Sequence, residues 1–148
     1  MSRRYPSRPI AGVGAVILDG DSVLLVRRAN EPMRGFWSLP GGALELGERL
    51  IDGLRREIRE EVGLEVNVVD VVEVLDRVIC DEAGKVQYHY VLIDYLCSPT
   101  GGSLRAGSDA DEAAWVERNR VGERQTTEGA VPVIAKAFDL RERLSAHA

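Results

Sequence analysis

The chain contains 148 residues, of which 45% are hydrophobic and 29% charged, with a formal net charge of -5; this length suits one compact domain with its own core. The acidic balance argues against a protein that binds duplex nucleic acid, because such proteins normally present a basic face. No apolar run is long enough to span a membrane and the N-terminus lacks a secretory apolar stretch, so we expect a cytosolic protein without membrane contact.

The first third of the sequence predicts three strands. Two apolar, β-branched runs at residues 10–18 and 22–28 flank the Asp-Gly-Asp turn at 19–21, a pattern that predicts a β-hairpin. Residues 36–40 predict a short third strand that ends in proline. The glycine pair at residues 41–42 then predicts a tight loop.

An amphipathic helix is predicted over residues 50–62. Leu50, Leu54 and Ile58 repeat every four residues, which places them on one face of a helix. Gly63 follows as a residue suited to the left-handed conformation that commonly ends a helix.

The second half predicts three strands and a terminal helix. Residues 64–80 and 85–97 predict two longer strands, and residues 108–116 predict a shorter one. Residues 131–144 predict a helix with proline in its first turn. This order predicts an α/β fold in which helices pack on a mixed sheet. We expect residues 10–148 to form one domain after a flexible tail at residues 1–9.

Three glutamates lie close together near the end of the predicted helix. Glu57, Glu60 and Glu61 are three and four positions apart, so their side chains are expected to converge on one face. The like charges repel, and the helix C-terminus adds its own partial negative charge. A bound dication would compensate for this arrangement. The alternative is a solvated acidic face neutralised by nearby arginines: Arg55, Arg56 and Arg59.

Gly53 indicates that another segment approaches this face of the helix. A glycine inside a helix costs about 1 kcal/mol relative to alanine, and Gly53 lies one turn before Glu57. The loop at residues 41–48 could supply that segment. Its glycine spacing resembles a phosphate loop, but Glu48 occupies the position of the Walker lysine, so the loop is expected to fold around a cation.

Residues 42–64, GALELGERLIDGLRREIREEVGL, match the pattern G-x5-E-x7-R-E-U-x-E-E-x-G-U, with U aliphatic, at every specified position. This pattern is the signature of the Nudix hydrolases, and the chain therefore resembles that family. The resemblance implies an α/β/α sandwich with a mixed β-sheet. It also implies hydrolysis of the pyrophosphate bond in a nucleoside diphosphate linked to another group.

The same resemblance implies roles for individual residues. Arg56 and Glu48 would orient the carboxylates and belong, with Glu57 and Glu60, to the catalytic set. An all-oxygen ligand set suits Mg²⁺, with Mn²⁺ as the alternative, and not zinc. The groups that would hold the divalent cation are Glu57, Glu60, Glu61 and the backbone carbonyl of Gly41.

The general base is left open by the sequence. Glu57 or Glu60 could serve, and so could an acid of the later loop. There we rank Glu112 first and Asp109 second, ahead of Asp111, as base or additional metal ligand. The alternative is that these later acids are merely solvated.

Arginine and tryptophan side chains are the candidates for substrate binding. Arg28 ends the second strand, and in similar segments of the family this arginine contacts substrate phosphate, a task that suits a guanidinium fork. Strand alternation should turn either Arg27 or Arg28 into solvent. Trp37 is a candidate for stacking on a nucleobase, with core packing as the alternative, and so is Trp115.

Residues 27–42 and 108–116 resemble small bacterial and archaeal ADP-ribose pyrophosphatases, which makes ADP-ribose, cleaved to AMP and ribose 5-phosphate, the first expected substrate. The main rival is a MutT-type nucleoside triphosphate pyrophosphohydrolase acting on nucleotides such as 8-oxo-dGTP. Against that rival, Ala130 replaces the asparagine with which it reads the purine. A Nudix module that senses a nucleotide without cleaving it is the third possibility. A homodimer is implied by similarity alone.

Overall fold

A computed structural model describes residues 3–107 and 109–147. The two opening apolar runs form strands β1 (Ile10–Asp19) and β2 (Ser22–Arg28), which pair antiparallel next to the turn. Gly20 adopts φ 58° in that turn, a left-handed conformation that glycine accepts without steric cost. The predicted hairpin is confirmed.

Beyond the turn, β1 and β2 separate, and each pairs with different strands. The strand order is β3-β2-β1-β6-β5, with β4 beside β1 and β7 beside β2. β1 and β6 are parallel, whereas the other pairings of the described strands are antiparallel, so the sheet is mixed as predicted. The further elements are β3 (Trp37–Ser38), β4 (Gly41–Ala43), α1 (Leu50–Val62), β5 (Leu64–Cys80), β6 (Val86–Gly102), β7 (Ala110–Glu117), a 3-10 helix (Arg118–Glu123) and α2 (Ala130–Ala146).

Helices cover both faces of the sheet, which is why the central strand β1 is a nearly continuous apolar run. Ala15 and Ile17 belong to the core that contains Leu54, Ile58 and Val62 of α1. Val16 and Leu18, which point the other way, belong to the core that contains Val133, Ile134 and Phe138 of α2. This two-sided packing is the predicted α/β/α sandwich.

Helix α1 ends where the sequence predicts. Gly63 adopts φ 74° and its N–H donates to the carbonyls of Arg59 and Ile58. A Cβ at Gly63 would lie 2.5 Å from the carbonyl oxygen of Ser103. Glycine is therefore required both by the backbone conformation and by the close approach of the chain after β6.

The glycine pair that predicts a loop instead begins strand β4, which pairs antiparallel with the first half of β1. Strand β6 likewise continues to Gly102, beyond the predicted end at residue 97. Both differences arise because pairing with a neighbouring strand overrides the weak strand propensity of glycine and proline.

The N-terminal segment, predicted as a flexible tail, contacts the domain through Tyr5. The backbone N–H of Tyr5 donates to the carbonyl of Gln87, and its hydroxyl donates to Asp81, both at 2.7 Å. Of the predicted tail, Met1 and Ser2 lie outside the described residues. Neither helix of the described chain has the length and apolar character that a membrane span requires.

Candidate active site

Two of the three clustered glutamates lie together at a cleft. Glu57 and Glu61 are one helical turn apart, and each is buried, at 9% and 8% exposure. Both line a cleft of about 530 Å³ together with Asp109 of the later loop. Glu60 projects elsewhere, with its side chain 61% exposed. The predicted convergence of all three glutamates is therefore only partly observed.

The glycine pair of β4 forms the wall against which these carboxylates pack. A Cβ at Gly42 would lie 2.4 Å from Oε2 of Glu57, and a Cβ at Gly41 would lie 2.1 Å from the carbonyl oxygen of Val13. Neither position has room for a side chain. The glycines thus allow the backbone of β4 to lie directly against the carboxylate of α1.

Arg56 holds the acidic groups in place. Its Nε and Nη2 donate to the two oxygens of Glu48 at 2.7 and 2.9 Å, and its Nη1 donates to Glu57 at 2.9 Å. Nη2 also donates to the carbonyl of Ala43, and Nη1 donates to Glu60 at 3.2 Å. Hydrogen bonding to Arg56 lowers the pKa of Glu48 to about 2. These contacts place Arg56 and Glu48 where the predicted orienting role would require them.

Gly53 makes room for the loop, as predicted from its position. A Cβ there would lie 2.6 Å from Cδ1 of Leu44 and 2.8 Å from Oε1 of Glu48. The loop that precedes α1 therefore lies directly on this turn of the helix. That contact holds Glu48 within reach of Arg56.

Burial at the cleft disfavours the ionised forms of Glu57 and Glu61. Burial, together with the negative charges of Glu57 and Asp109, raises the pKa of Glu61 to about 8, although a backbone hydrogen bond from Gly41 and the charge of Arg28 oppose the shift. Burial also raises the pKa of Glu57, although Arg56 opposes that shift. A cation in the cleft would relieve both shifts.

The chemistry of the donor set fits a hard divalent cation. Within residues 3–107 and 109–147, no three Asp, Glu, His or Cys side chains form a ready-made cage, because Arg56 draws Glu57 and Glu60 to itself. Glu57, Glu61 and Asp109 nevertheless supply carboxylate oxygens around one cleft that Gly41 also lines. Carboxylate and carbonyl oxygens are the ligands that Mg²⁺ and Mn²⁺ take in proteins.

The two strand-end arginines point in opposite directions, as alternation predicts. Arg28 lines the cleft, and its Nε donates to the carbonyl of Pro32 at 2.7 Å. Burial lowers the pKa of Arg28 while Glu61 raises it. Arg27 is on the outer side, 3.6 Å from Glu112. Of the two, only Arg28 can meet a phosphate in the cleft.

The ranking of the later acids needs correction. Glu112 is the register partner of Arg27 and pairs with it, away from the cleft, whereas Asp109 lines the cleft and accepts a hydrogen bond from Asn30 at 3.2 Å. The pairing of β2 with β7 is irregular between Arg27 and Arg28. Simple alternation through this segment therefore fails to predict which acid faces inward.

The tryptophans are core residues, which supports the alternative weighed for them. Trp37 is buried in the core beneath α2, and the guanidinium of Arg124 lies 4.3 Å from its ring centroid. Trp115 packs against the core beneath α1. The aromatic side chains that line the cleft are instead Tyr88 and Tyr90, whose rings are stacked at 6.4 Å.

A further carboxyl, missed in the sequence, lies deeper in the cleft. Asp94 of β6 is 6% exposed and lines a cavity of about 140 Å³ that continues the cleft. Burial raises its pKa to about 6. The signal was present, since Tyr88, Tyr90 and Asp94 alternate along one face of the strand.

Comparison with known proteins identifies relatives of the whole arrangement. A model of the NUDIX domain matches residues 8–137. An ADP-ribose pyrophosphatase of Methanocaldococcus jannaschii is 34% identical over 113 residues, 76% of this chain and 64% of that protein. The 8-oxo-dGDP phosphatase NUDT18 of Mus musculus is 35% identical over 123 residues, 77% of this chain and 35% of that protein. This chain thus spans less than two thirds of either relative. A crystal structure of a MutT NUDIX hydrolase from Burkholderia pseudomallei superposes with a TM-score of 0.77 at 26% identity, covering 88% of this chain and 98% of that one.

Proposed function

Because this chain belongs to the Nudix hydrolase family, we propose that it hydrolyses a phosphoanhydride bond of a nucleotide with the help of Mg²⁺ or Mn²⁺. The observation that carries the proposal is the pair of buried carboxylates, Glu57 and Glu61, against the glycine wall of β4. Without a cation this arrangement is electrostatically unfavourable, as the raised pKa of Glu61 indicates.

Each residue at the cleft has a distinct task. Glu57, Glu61 and Asp109 would hold the cation, with the carbonyl of Gly41. The cation, when bound, neutralises phosphate charge and lowers the pKa of a bound water. Arg28 is half-buried beside Glu61 and would bind a substrate phosphate through its guanidinium.

The structure changes the order of the candidates for the general base. Asp109 is preferred over Glu112 for the open role of additional metal ligand or general base, because Asp109 lines the cleft and Glu112 does not. Glu57 is a weaker candidate, since it accepts a hydrogen bond from Arg56 at 2.9 Å. Glu60 can reach the cation only after leaving Arg56, to which it is bonded at 3.2 Å.

Two substrates lead the proposal. The resemblance to an ADP-ribose pyrophosphatase favours ADP-ribose, and the resemblance to 8-oxo-dGDP phosphatases favours an oxidised guanine nucleotide. The metal end of the cleft would treat the diphosphates of both alike. The two substrates differ in the nucleobase, and Asp94 lines the cavity that continues the cleft away from Glu57 and Glu61.

The test is turnover of a nucleotide panel with Mg²⁺ or Mn²⁺, with products identified by chromatography. The panel contains ADP-ribose, 8-oxo-dGDP, 8-oxo-dGTP and the unmodified nucleotides. We expect metal-dependent hydrolysis that Glu61→Gln reduces by orders of magnitude. Glu112→Gln is the matched control and should leave turnover unchanged. Loss of every nucleotide activity in the wild type, together with no Mg²⁺ or Mn²⁺ uptake by calorimetry, would contradict the proposal.

A homodimer stays part of the proposal. Strand β5 lies at the edge of the described sheet, and Val74 and Val78 of β5 are exposed at 58% and 51%. We propose that these apolar side chains on an edge strand contribute to the dimer interface. Sedimentation equilibrium should give a dimer that Val78→Lys weakens; a monomeric wild type would contradict it.

A further inference from the structure

Asp94 is a buried carboxyl without a partner. It is 6% exposed, and among the described residues its side chain makes no hydrogen bond and no ion pair within 4.0 Å. A buried charged group that is left unpaired is costly. Among the described residues, every side-chain oxygen that is sealed from solvent has a hydrogen-bond partner. The carboxylate of Asp94 has no such partner, so it is open to the cavity that it lines and can meet a ligand there.

The strand beside Asp94 is built to make room for it. Gly14 of β1 is the register partner of Asp94, and a Cβ on Gly14 would lie 2.4 Å from Oδ1 of Asp94. Two residues earlier, a Cβ on Gly12 would lie 2.9 Å from Cδ2 of Leu92. The two glycines therefore let β6 direct Leu92 and Asp94 into the cavity.

The walls of the cavity are mainly apolar. Leu39, Leu75, Leu92 and Tyr90 contribute to the lining. Arg77 attracts Asp94 electrostatically but donates a hydrogen bond to the carbonyl of Glu128. Arg3 and Arg28 also line the cavity. A flat apolar group with polar atoms on one edge fits this environment, and nucleobases have that character.

The cavity is continuous with the metal end of the cleft. Arg28, Gly41, Gly42 and Tyr90 line both parts. A nucleotide with its phosphates beside Arg28 can therefore extend its base past Tyr90 toward Asp94. This step depends on the proposed function, because it takes the acidic end as the phosphate site.

We propose that Asp94 is the residue that selects the base, by accepting two hydrogen bonds from the Watson–Crick edge of a guanine-type purine. Guanine and 8-oxoguanine present the N1–H and the 2-amino group side by side, which match the two acceptor oxygens of a carboxylate. Adenine presents its 6-amino group beside N1, an acceptor that would face the second oxygen without a proton between them. Asp94 therefore favours guanine-type nucleotides over ADP-ribose and other adenine nucleotides.

The test compares nucleotides that differ only in the base. Wild-type kcat/KM should fall in the order guanine, hypoxanthine, adenine for matched diphosphates and triphosphates, with guanine over adenine by roughly 10- to 100-fold. Asp94→Asn replaces two acceptors with one acceptor and one donor, which complements adenine. We expect this variant to shift the guanine-to-adenine ratio toward adenine by at least about 10-fold, mostly through KM.

Glu73→Gln is the matched control. Glu73 is the register partner of Asp94 on β5, but it pairs with Lys136 at 2.8 Å and is outside the cavity lining. The control should keep the wild-type ratio. A wild type that turns over adenine nucleotides as well as guanine nucleotides, or an Asp94→Asn variant with an unchanged ratio, would overturn the inference.

These failures would be separate from failure of the proposed function. Metal-dependent hydrolysis that requires Glu61 would survive either result. The wild-type base series also needs no variant, so the inference stays testable if Asp94→Asn does not fold. Circular dichroism of Asp94→Asn should show a native spectrum, since the amide removes an unpaired buried charge.

Discussion

Glu61→Gln should stabilise the metal-free protein while abolishing most of its activity. The pKa of Glu61 is about 8 in the fold, against an ordinary value of 4.5 for a glutamate side chain. Folding at pH 7 must therefore protonate this group, which costs about 3 kcal/mol at 1.36 kcal/mol per pKa unit. Glutamine avoids that cost and still accepts the backbone hydrogen bond from Gly41.

The sign and the pH window follow from the raised pKa. A carboxyl of this kind costs nothing below pH 4.5, and stability is lost as the pH rises toward 8. The gain from Glu61→Gln should thus be small at pH 5 and approach about 3 kcal/mol at pH 7, or about 5–10 °C in Tm. Calorimetric melting in EDTA across this pH range measures it.

Glu60→Gln is the control for this experiment. The Glu60 side chain is 61% exposed and bonded to Arg56, so its neutralisation should change the metal-free Tm little. Both substitutions are expected to lower metal-dependent turnover. A metal-free Tm for Glu61→Gln at or below that of the wild type at pH 7, or an equal gain from Glu60→Gln, would refute the reasoning.

Three other substitutions test the remaining parts of the site. Gly42→Ala places a methyl group 2.4 Å from Oε2 of Glu57, so we expect the free energy of unfolding to fall by about 1–3 kcal/mol and metal binding to weaken. Urea titration measures the first effect and calorimetry the second. Unchanged values would contradict the close approach. Arg28→Ala should raise KM by roughly 10- to 100-fold, whereas Arg27→Ala should not, and equal effects in steady-state kinetics would show that neither arginine has a special role. Arg56→Lys removes the bidentate bond to Glu48, so turnover or metal affinity should fall by about 10- to 100-fold, and wild-type kinetics would argue against a positioning role.

The local elements were predictable because short-range patterns determine them. Helix α1 ends at Gly63 as its periodicity and αL residue predict, and Gly53 correctly indicated an approaching loop. Positions that depend on pairing between distant segments were not. Asp109 faces the cleft in place of Glu112 because the β2–β7 pairing is irregular at that point, a feature that no local periodicity encodes.

The sequence also does not show which of the glutamates form ion pairs with Arg56. Helical spacing brings Glu57, Glu60 and Glu61 to neighbouring positions, but it cannot say which oxygen Arg56 will take. The burial of Asp94 is hard to predict for another reason: strand alternation places Asp94 on the same face as Tyr88 and Tyr90, but it does not indicate how deeply that face is buried. Its burial depends on Gly14 lying opposite, across a parallel pairing with a strand about 80 residues away.

The guanidinium of Arg56 acts as a counter-ion within the site, because it donates hydrogen bonds to three glutamates without a metal: Glu48, Glu57 and Glu60. Of the proposed cation ligands, Glu57 is the one bonded to Arg56, so a hydrated ion that binds alone would compete with Arg56 for the carboxylate of Glu57. A cation that binds together with a nucleotide gains phosphate oxygens as additional ligands. We therefore expect the complex of metal and nucleotide to bind more tightly than the metal alone. Arg56 would therefore keep the acidic cluster partly neutralised when no metal is bound.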